Sequence, residues 1–174
     1  GVDKEYFDNA VKSLQNQRVK PEEVLLVIPG DAEEIRTYFD SYDFGEEVNF
    51  RVVNNNGKSD FASQMNFGVS QAKTEWVNFM EMDDEMTNSW IQNVKKYTEA
   101  HTDVDIFCPI VVDVNDKGQF IALTNEAVWA KEFSDEMGII DHDIVLAYQN
   151  FNIVGLAIKR ETYEEFVGLK TNIK

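Results

Sequence analysis

The densest group of acidic residues in the chain follows an apolar, aromatic run at residues 76–80. The sequence WVNFMEMDDE places four carboxylates within five positions: Glu81, Asp83, Asp84 and Glu85. Carboxylates this close repel one another and raise each other's pKa unless a cation lies among them. Two interpretations fit the pattern. It is either a solvated acidic loop, or a metal site at the carboxyl end of a strand, where open α/β sheets hold their ligands.

The overall charge restricts the classes of partner. The 174 residues contain 16 basic and 32 acidic side chains, so the net charge is −16 at neutral pH. Non-specific binding to nucleic acid or to anionic membranes needs cationic patches, and this composition argues against both. A phosphate-bearing substrate would therefore have to bind through a divalent cation or through oriented backbone amides.

Length and cysteine content set further limits. One domain is the default for a chain of this length. The single cysteine, Cys108, excludes a disulfide framework and a cysteine-based zinc site. No apolar run in the sequence reaches the length of a transmembrane helix, and residues 1–7 have no signal-peptide character. We therefore expect a soluble, cytoplasmic, single-domain protein.

Helix and strand patterns alternate through the first part of the chain. An apolar stripe at Phe7, Val11 and Leu14 predicts a first helix. The spacing of Asp31 and Glu34 predicts a capping box that opens a second helix. This alternation predicts a three-layer α/β/α sandwich around a mostly parallel, mixed sheet, with strands at about residues 24–28, 48–53 and 75–80.

The pattern changes beyond residue 103. VDIFCPIVV, the turn NDKG and QFIAL predict a strand at about 104–111 and a hairpin. Residues 125–150 have a weak pattern that is typical of helix and loop. IVGLAIK predicts a strand at 153–159, and the short helix after it is predicted to end at Gly168. We see no repeat and no domain boundary.

Five short phrases along the chain resemble those of a known family. They are SLQNQ at 13–17, NNG at 55–57, NFG at 66–68, FMEMDD at 79–84 and GLAIKRETYEEFVGL at 155–169. In type and in order they look like the phrases of glycosyltransferase family 2, the inverting nucleotide-diphospho-sugar transferases with the GT-A fold. The resemblance spans almost the whole chain.

The resemblance implies one GT-A-like domain over residues 1–174, with a nucleotide-binding half at about 1–102 and an acceptor-side half at about 103–174. The implied activity is the metal-assisted, inverting transfer of a sugar from a nucleotide-diphosphate sugar to an acceptor hydroxyl. The donor sugar, the nucleobase and the acceptor, whether glycan, lipid-linked or protein, are left open.

The resemblance also gives the acids at 81–84 a role. By analogy Asp83 is the direct ligand of Mg²⁺ or Mn²⁺, Glu81 reaches the ion or the ribose, and Asp84 adds a supporting contact. Side chains alternate along a strand, so the spacing of Glu81 and Asp83 at a strand end predicts that both lie on one face. A hard ion held by one or two carboxylates keeps positions open for phosphate oxygens.

Four further residues are placed near the nucleotide by the same resemblance. Asn56, Gly57 and Lys58 lie where the family approaches the nucleotide, although an ordinary polar turn explains them equally well. Asn66 matches the asparagine of an Arg-Asn pair, but methionine stands in the arginine position. VIPGDA replaces the family's acidic turn, where Asp31 is either a substitute or simply a helix N-cap.

Two elements of the family are not found in these residues. One is an apolar strand before the first helix, and the other is a general-base carboxylate after the glycine turn. The acid–histidine group Asp141, His142 and Asp143 is better interpreted as a solvated loop, so the catalytic base is unassigned. We therefore expect either a domain truncated at both ends or a divergent member of the family.

Three functions remain open at this point. The first is a sugar transferase. The second is a non-catalytic sugar- or protein-binding module on the same fold, which the missing base favours. The third is a sugar nucleotidyltransferase, but that class would normally show a glycine-rich loop with a basic residue after the first strand, and none is visible.

Overall fold

The computed structural model describes residues 3–30, 33–124, 153–166 and 168 of the chain. The chain divides into two compact units, one of Gly1–Phe107 with Ala157–Lys174 and one of Cys108–Leu156. The elements are α1 (Lys4–Gln15), β1 (Glu23–Ile28), α2 (Glu33–Phe39), β2 (Asn49–Asn54), α3 (Phe61–Gln71), β3 (Trp76–Asn78), α4 (Trp90–Ala100), β4 (Ile106–Phe107), β5 (Val111–Val114), β6 (Phe120–Thr124), β7 (Ala157–Lys159) and α5 (Arg160–Glu165).

The predicted apolar stripe of α1 packs on β1. Phe7 and Val11 are buried in one cluster with Leu26, and Leu14 packs against that cluster. The ring of Phe7 meets that of Phe39 edge-on, with centroids 4.1 Å apart. Full burial of such side chains contributes about 1.5–3 kcal/mol each. This cluster therefore fixes α1 and α2 against the first strands.

β1 and β2 form a parallel pair, as the alternation of helices and strands predicts. Val24 lies opposite Phe50 and Ile28 opposite Asn54, so both strands end at the same edge. Parallel strands in an α/β fold place the loops after them side by side at this carboxyl edge. The loops at residues 29–30 and 55–60 are thereby brought together.

The first unit has a second sheet, which the sequence did not predict as separate. It has the order β3–β7–β4, and both pairs are antiparallel. Within the described residues, the predicted mostly parallel sheet is thus divided into a parallel pair and an antiparallel triplet. Within the described residues β1 and β3 share no hydrogen-bond ladder, and residues of both strands line one cavity of about 1180 Å³.

The predicted hairpin is present in the second unit as β5 and β6, which pair antiparallel. Its turn is fastened by Asn115, whose Oδ1 accepts hydrogen bonds from the main-chain N–H groups of Lys117 and Gln119, each at 3.0 Å. The strand predicted at 104–111 is interrupted, because β4 has only two residues and β5 starts later. Pro109 lies between them and has no N–H to give to a ladder.

The end of the described chain agrees with its sequence pattern only in part, because the strand predicted at 153–159 is limited to Ala157–Lys159. β7 is followed directly by α5, and the N–H of Gly168 donates to the carbonyl of Tyr163 at 3.1 Å. Gly168 has φ of +64°, which is the left-handed conformation expected after a helix. The predictions for residues 125–150 and for the Asp31 cap lie outside the described residues. Along the described parts of the chain, no helix combines the length and apolar character needed to cross a membrane.

Candidate functional site

The acidic loop, residues 81–85, lies just beyond β3 and the buried Phe79. A main-chain hydrogen bond from the N–H of Asp84 to the carbonyl of Glu81, at 3.3 Å, closes a turn within it. Carboxylate oxygens of Glu81, Asp83 and Asp84 lie within 4.8 Å of one another. Glu81 and Asp83 are exposed and Asp84 is half-buried. The structure therefore brings together the three acids named from the sequence.

The way these acids meet differs from the sequence prediction. Alternation along a strand would place Glu81 and Asp83 on one face, but β3 ends at Asn78, before either of them. The turn that follows curls the chain, so Asp84 joins the group within the same limit of 4.8 Å. Asp84 is thus a candidate ligand itself, not only a supporting contact, whereas Glu85 lies outside the group.

The donor set suits a hard divalent ion. All three groups offer oxygen, which is the ligand atom that Mg²⁺ prefers. Oxygens on opposite sides of an ion bound at about 2.1 Å stand about 4.2 Å apart. Three oxygens cannot all lie opposite one another, and neighbouring oxygens around such an ion stand about 3.0 Å apart. The acids, whose oxygens lie within 4.8 Å of one another, would therefore move closer together to hold one ion, and the exposed side leaves room for oxygens from a ligand.

The electrostatics of the acidic loop favour a cation as well. Partial desolvation of its carboxyl group raises the pKa of Glu81, although the residue as a whole is exposed, and the charge of Asp83 raises it further. For a carboxyl group, a raised pKa means that ionisation is less favourable in the folded protein than in the unfolded chain. Its contribution therefore destabilises the fold as the pH rises through that pKa. A bound cation would favour the ionised form and so offset this effect.

Asn56, Gly57 and Lys58 lie exposed at the carboxyl edge, in the loop after β2. Asn56 and Gly57 have φ of +49° and +86°, a conformation that glycine adopts without strain. The shape of this loop depends on Asn54, whose Oδ1 accepts hydrogen bonds from the N–H groups of Asn56 at 2.8 Å and Gly30 at 2.9 Å. Asn54 thus connects the loops after β1 and β2, a role that the sequence analysis missed.

Asn66 makes contacts that tie helices together. Its Oδ1 accepts a hydrogen bond from the hydroxyl of Tyr163 at 2.7 Å, which joins α3 to α5. A Cβ added to Gly168 would lie 2.4 Å from the same oxygen, so this glycine allows the close approach. These contacts give Asn66 a structural role, and its binding to a nucleotide stays a prediction.

Four other residues were considered in the sequence analysis. Asp31, Asp141, His142 and Asp143 lie outside the described residues. Two residues that carried no role in the sequence analysis, Ser13 and Gln17, hydrogen-bond to the segment that follows the acidic loop. The only signal for them was their presence in the SLQNQ phrase, because their partners lie about 70 residues away.

Comparison with solved structures identifies the fold. The chain matches residues 1–349 of TarS from S. aureus in complex with UDP-GlcNAc, with a TM-score of 0.69 and 16% identity over 94% of this chain. It also matches TarS in complex with UDP at a TM-score of 0.64 and 15% identity. At this level of identity the likeness shows the fold, which is GT-A.

The chain spans less than half the length of these structures, covering 44% of the UDP-GlcNAc complex and 46% of the UDP complex. No curated protein sequence matches it significantly. The family model for glycosyl transferase family 2, however, matches residues 3–155, which include both the loop after β2 and the acidic loop. With the order of its phrases, its GT-A fold and this match in agreement, the chain belongs to glycosyl transferase family 2.

Proposed function

We propose that this chain is part of an enzyme that transfers a sugar from a nucleotide-diphosphate sugar to an acceptor hydroxyl. The transfer uses a divalent ion and inverts the configuration at the sugar carbon. The observation that carries the proposal is the grouping of Glu81, Asp83 and Asp84 within 4.8 Å at the end of β3. Membership of the family supports the reaction class. The match to TarS supports UDP-GlcNAc as the first donor to test.

The chemistry of the donor explains why the acids are needed. A nucleotide-diphosphate sugar is an anion, and its diphosphate gains further negative charge when the bond to the sugar breaks. A protein of net charge −16 would repel such a ligand without a cation between them. When bound, Mg²⁺ or Mn²⁺ supplies positive charge to the leaving diphosphate. The three carboxylates hold the ion, and Asp83 is the ligand that we assign first.

The loop after β2 supports the nucleotide side of this proposal. Asn56, Gly57 and Lys58 are exposed, and Asn54 fixes their loop against Gly30. Gly57 leaves main-chain groups open to a ligand, and Lys58 brings a positive charge. The cavity that is lined by Asp83 also reaches Ser59, the residue after Lys58. We therefore assign the nucleotide to the side of the acidic loop that faces this loop.

Transfer with inversion requires one further group. A carboxylate must take the proton of the acceptor hydroxyl as that oxygen attacks the sugar carbon and the diphosphate departs. We assign no residue of this chain to that role. Binding of the donor is therefore the step that these residues can be tested for by themselves.

Calorimetry tests the proposal directly. We expect UDP-GlcNAc and UDP to bind in the presence of Mn²⁺ or Mg²⁺, and to bind at least about tenfold more weakly in excess chelator, because the diphosphate would then face uncompensated carboxylates. Equal affinity with and without the ion would contradict the metal bridge. No binding of either ligand in either condition would contradict the assignment of a nucleotide-sugar site to these residues.

A further inference from the structure

We propose that Ser13 and Gln17 are positioning residues that hold the acidic loop in its ion-binding shape. The inference rests on the proposed function, since it concerns the same ion. Ser13 lies in α1, and Gln17 lies two residues after the end of that helix. Both are buried, and both are far in sequence from the acids. Their hydrogen bonds reach Met86, Thr87 and Ile91, so they act on the chain that connects the candidate ligands to α4.

Ser13 fastens the chain immediately after the acidic loop. Its hydroxyl accepts a hydrogen bond from the main-chain N–H of Met86 at 3.1 Å and donates one to the carbonyl of Ala10 at 2.7 Å. Met86 is the residue next to the acidic loop and two positions beyond Asp84. Because the serine oxygen is held by α1 itself, it gives this end of the acidic loop a fixed point.

Gln17 holds the next part of the same segment. Its Nε2 donates to the carbonyls of Ser13 at 3.0 Å and Thr87 at 2.9 Å. Its Oε1 accepts from the N–H of Ile91 at 3.1 Å. Its side chain is therefore hydrogen-bonded at both amide atoms in a site where the residue is only 3% exposed. A buried amide with both atoms paired is a rigid connection.

Gln17 also supplies the N-terminal cap of α4. The N-cap residue Ser89 makes no side-chain capping bond, although the first N–H groups of a helix need acceptors. The bond from Ile91 to Gln17 meets that need from another element. The N–H of Arg18 adds a bond to the carbonyl of Asn88 at 2.8 Å. Residues just before and just after the start of α4 are thus hydrogen-bonded to the segment that ends α1.

These bonds matter for an ion because the acids repel one another. Without a cation, that repulsion favours conformations in which the carboxylates move apart. Phe79 and Met80 connect one end of the acidic loop to β3, which pairs with β7. The other end is held by Ser13 and Gln17. An acidic loop fixed at both ends keeps its oxygens close before the ion arrives, which lowers the cost of binding.

A purely structural role would predict something different. If these residues only stabilised the fold, their loss would lower the melting temperature, but the molecules that remained folded would bind the ion with unchanged affinity. If they position the acids, the affinity of the folded protein falls too. Supporting groups around metal ligands typically change affinity by about 10- to 100-fold when they are lost.

The test compares Ser13→Ala with Gln15→Ala. Gln15 is on the same helix but its Nε2 donates to the carbonyl of Asp43, in another loop, so it is the matched control. Mn²⁺ affinity is measured by titration at 10 °C, where circular dichroism establishes that each protein is folded. We expect Ser13→Ala to bind Mn²⁺ about tenfold more weakly than wild type, and Gln15→Ala to bind within about twofold.

Wild-type affinity in Ser13→Ala, with only the melting temperature lowered, would overturn the inference and leave the proposed function standing. Absence of Mn²⁺ binding by the wild type, both with and without UDP, would overturn both. If Ser13→Ala does not fold, amide hydrogen exchange of the metal-free wild type tests the inference instead. We expect the N–H groups of Met86 and Ile91 to be protected before Mn²⁺ is added, and exchange at the rate of an unstructured peptide would overturn the inference.

Discussion

Asp83→Asn is expected to remove the rise in melting temperature that Mn²⁺ and UDP cause in the wild-type protein. The substitution replaces an anionic ligand by a neutral one of nearly the same shape. A ligand present at about 100 times its dissociation constant stabilises the protein by about 2.7 kcal/mol. For a protein of this size that corresponds to a shift of roughly 5–10 °C. The metal-free variant should be at least as stable as wild type, since one charge leaves a repulsive group.

Glu85→Gln is the matched control for this prediction. It neutralises an acid of the same loop that lies outside the group of three. We expect its melting temperature to rise with Mn²⁺ and UDP as much as that of wild type. Equal shifts in all three proteins would mean that Asp83 does not hold the ion, and the loop would then be a solvated acidic loop as the simpler interpretation of the sequence had it.

Phe7→Ala should have the largest effect on stability, lowering the free energy of unfolding by about 3–5 kcal/mol. Phe7 is 3% exposed, and its ring contacts those of Phe39 and Tyr42. Removing it takes away both the transfer free energy of the ring and the contacts that join α1 to α2. Urea unfolding followed by circular dichroism measures the loss.

Phe166→Ala removes the same atoms from an exposed site and serves as the comparison. The side chain of Phe166 is 75% exposed, so we expect a change within about 0.5 kcal/mol. A small effect of Phe7→Ala, close to that of Phe166→Ala, would mean that the aromatic cluster does not form the core that holds α1 on β1.

Local patterns in the sequence were sufficient for several parts of the fold. The spacing of Phe7, Val11 and Leu14 predicted the buried side of α1, because a helix brings such positions onto one face. The apolar run before Pro29 predicted β1, and the NDKG turn predicted the hairpin of β5 and β6. The position of the acids after a strand also followed from the sequence alone, and the structure groups them.

Features that depend on distant parts of the chain were not predictable in this way. The division of the sheet follows from pairing between β3 and β7, which are about 80 residues apart in the sequence. The turn at residues 81–84, which ends the alternation of a strand, has no glycine or proline to signal it. The contacts of Ser13 with Met86 and of Asn66 with Tyr163 are of the same long-range kind.

The cavity shared by β1 and β3 is a further example. The sequence predicted one continuous sheet, and the resemblance implied an apolar strand ahead of the first helix. In the structure β1 and β3 line a space of about 1180 Å³ together with α1 and α3. Sequence patterns indicate which segments form strands, but they do not show which strand edges meet, because this depends on the packing of the whole unit.

Manganese has an anomalous signal that locates it directly, and crystals grown with UDP-GlcNAc and Mn²⁺ provide the most direct test of the central claim. We predict an anomalous difference peak about 2.0–2.3 Å from a carboxylate oxygen of Asp83, and at a similar distance from an oxygen of the diphosphate. Glu81 or Asp84 should supply or support a second protein contact. A bound nucleotide with no manganese peak at the acidic loop, or with the peak elsewhere on the protein, would contradict the claim that these acids hold the ion for the donor.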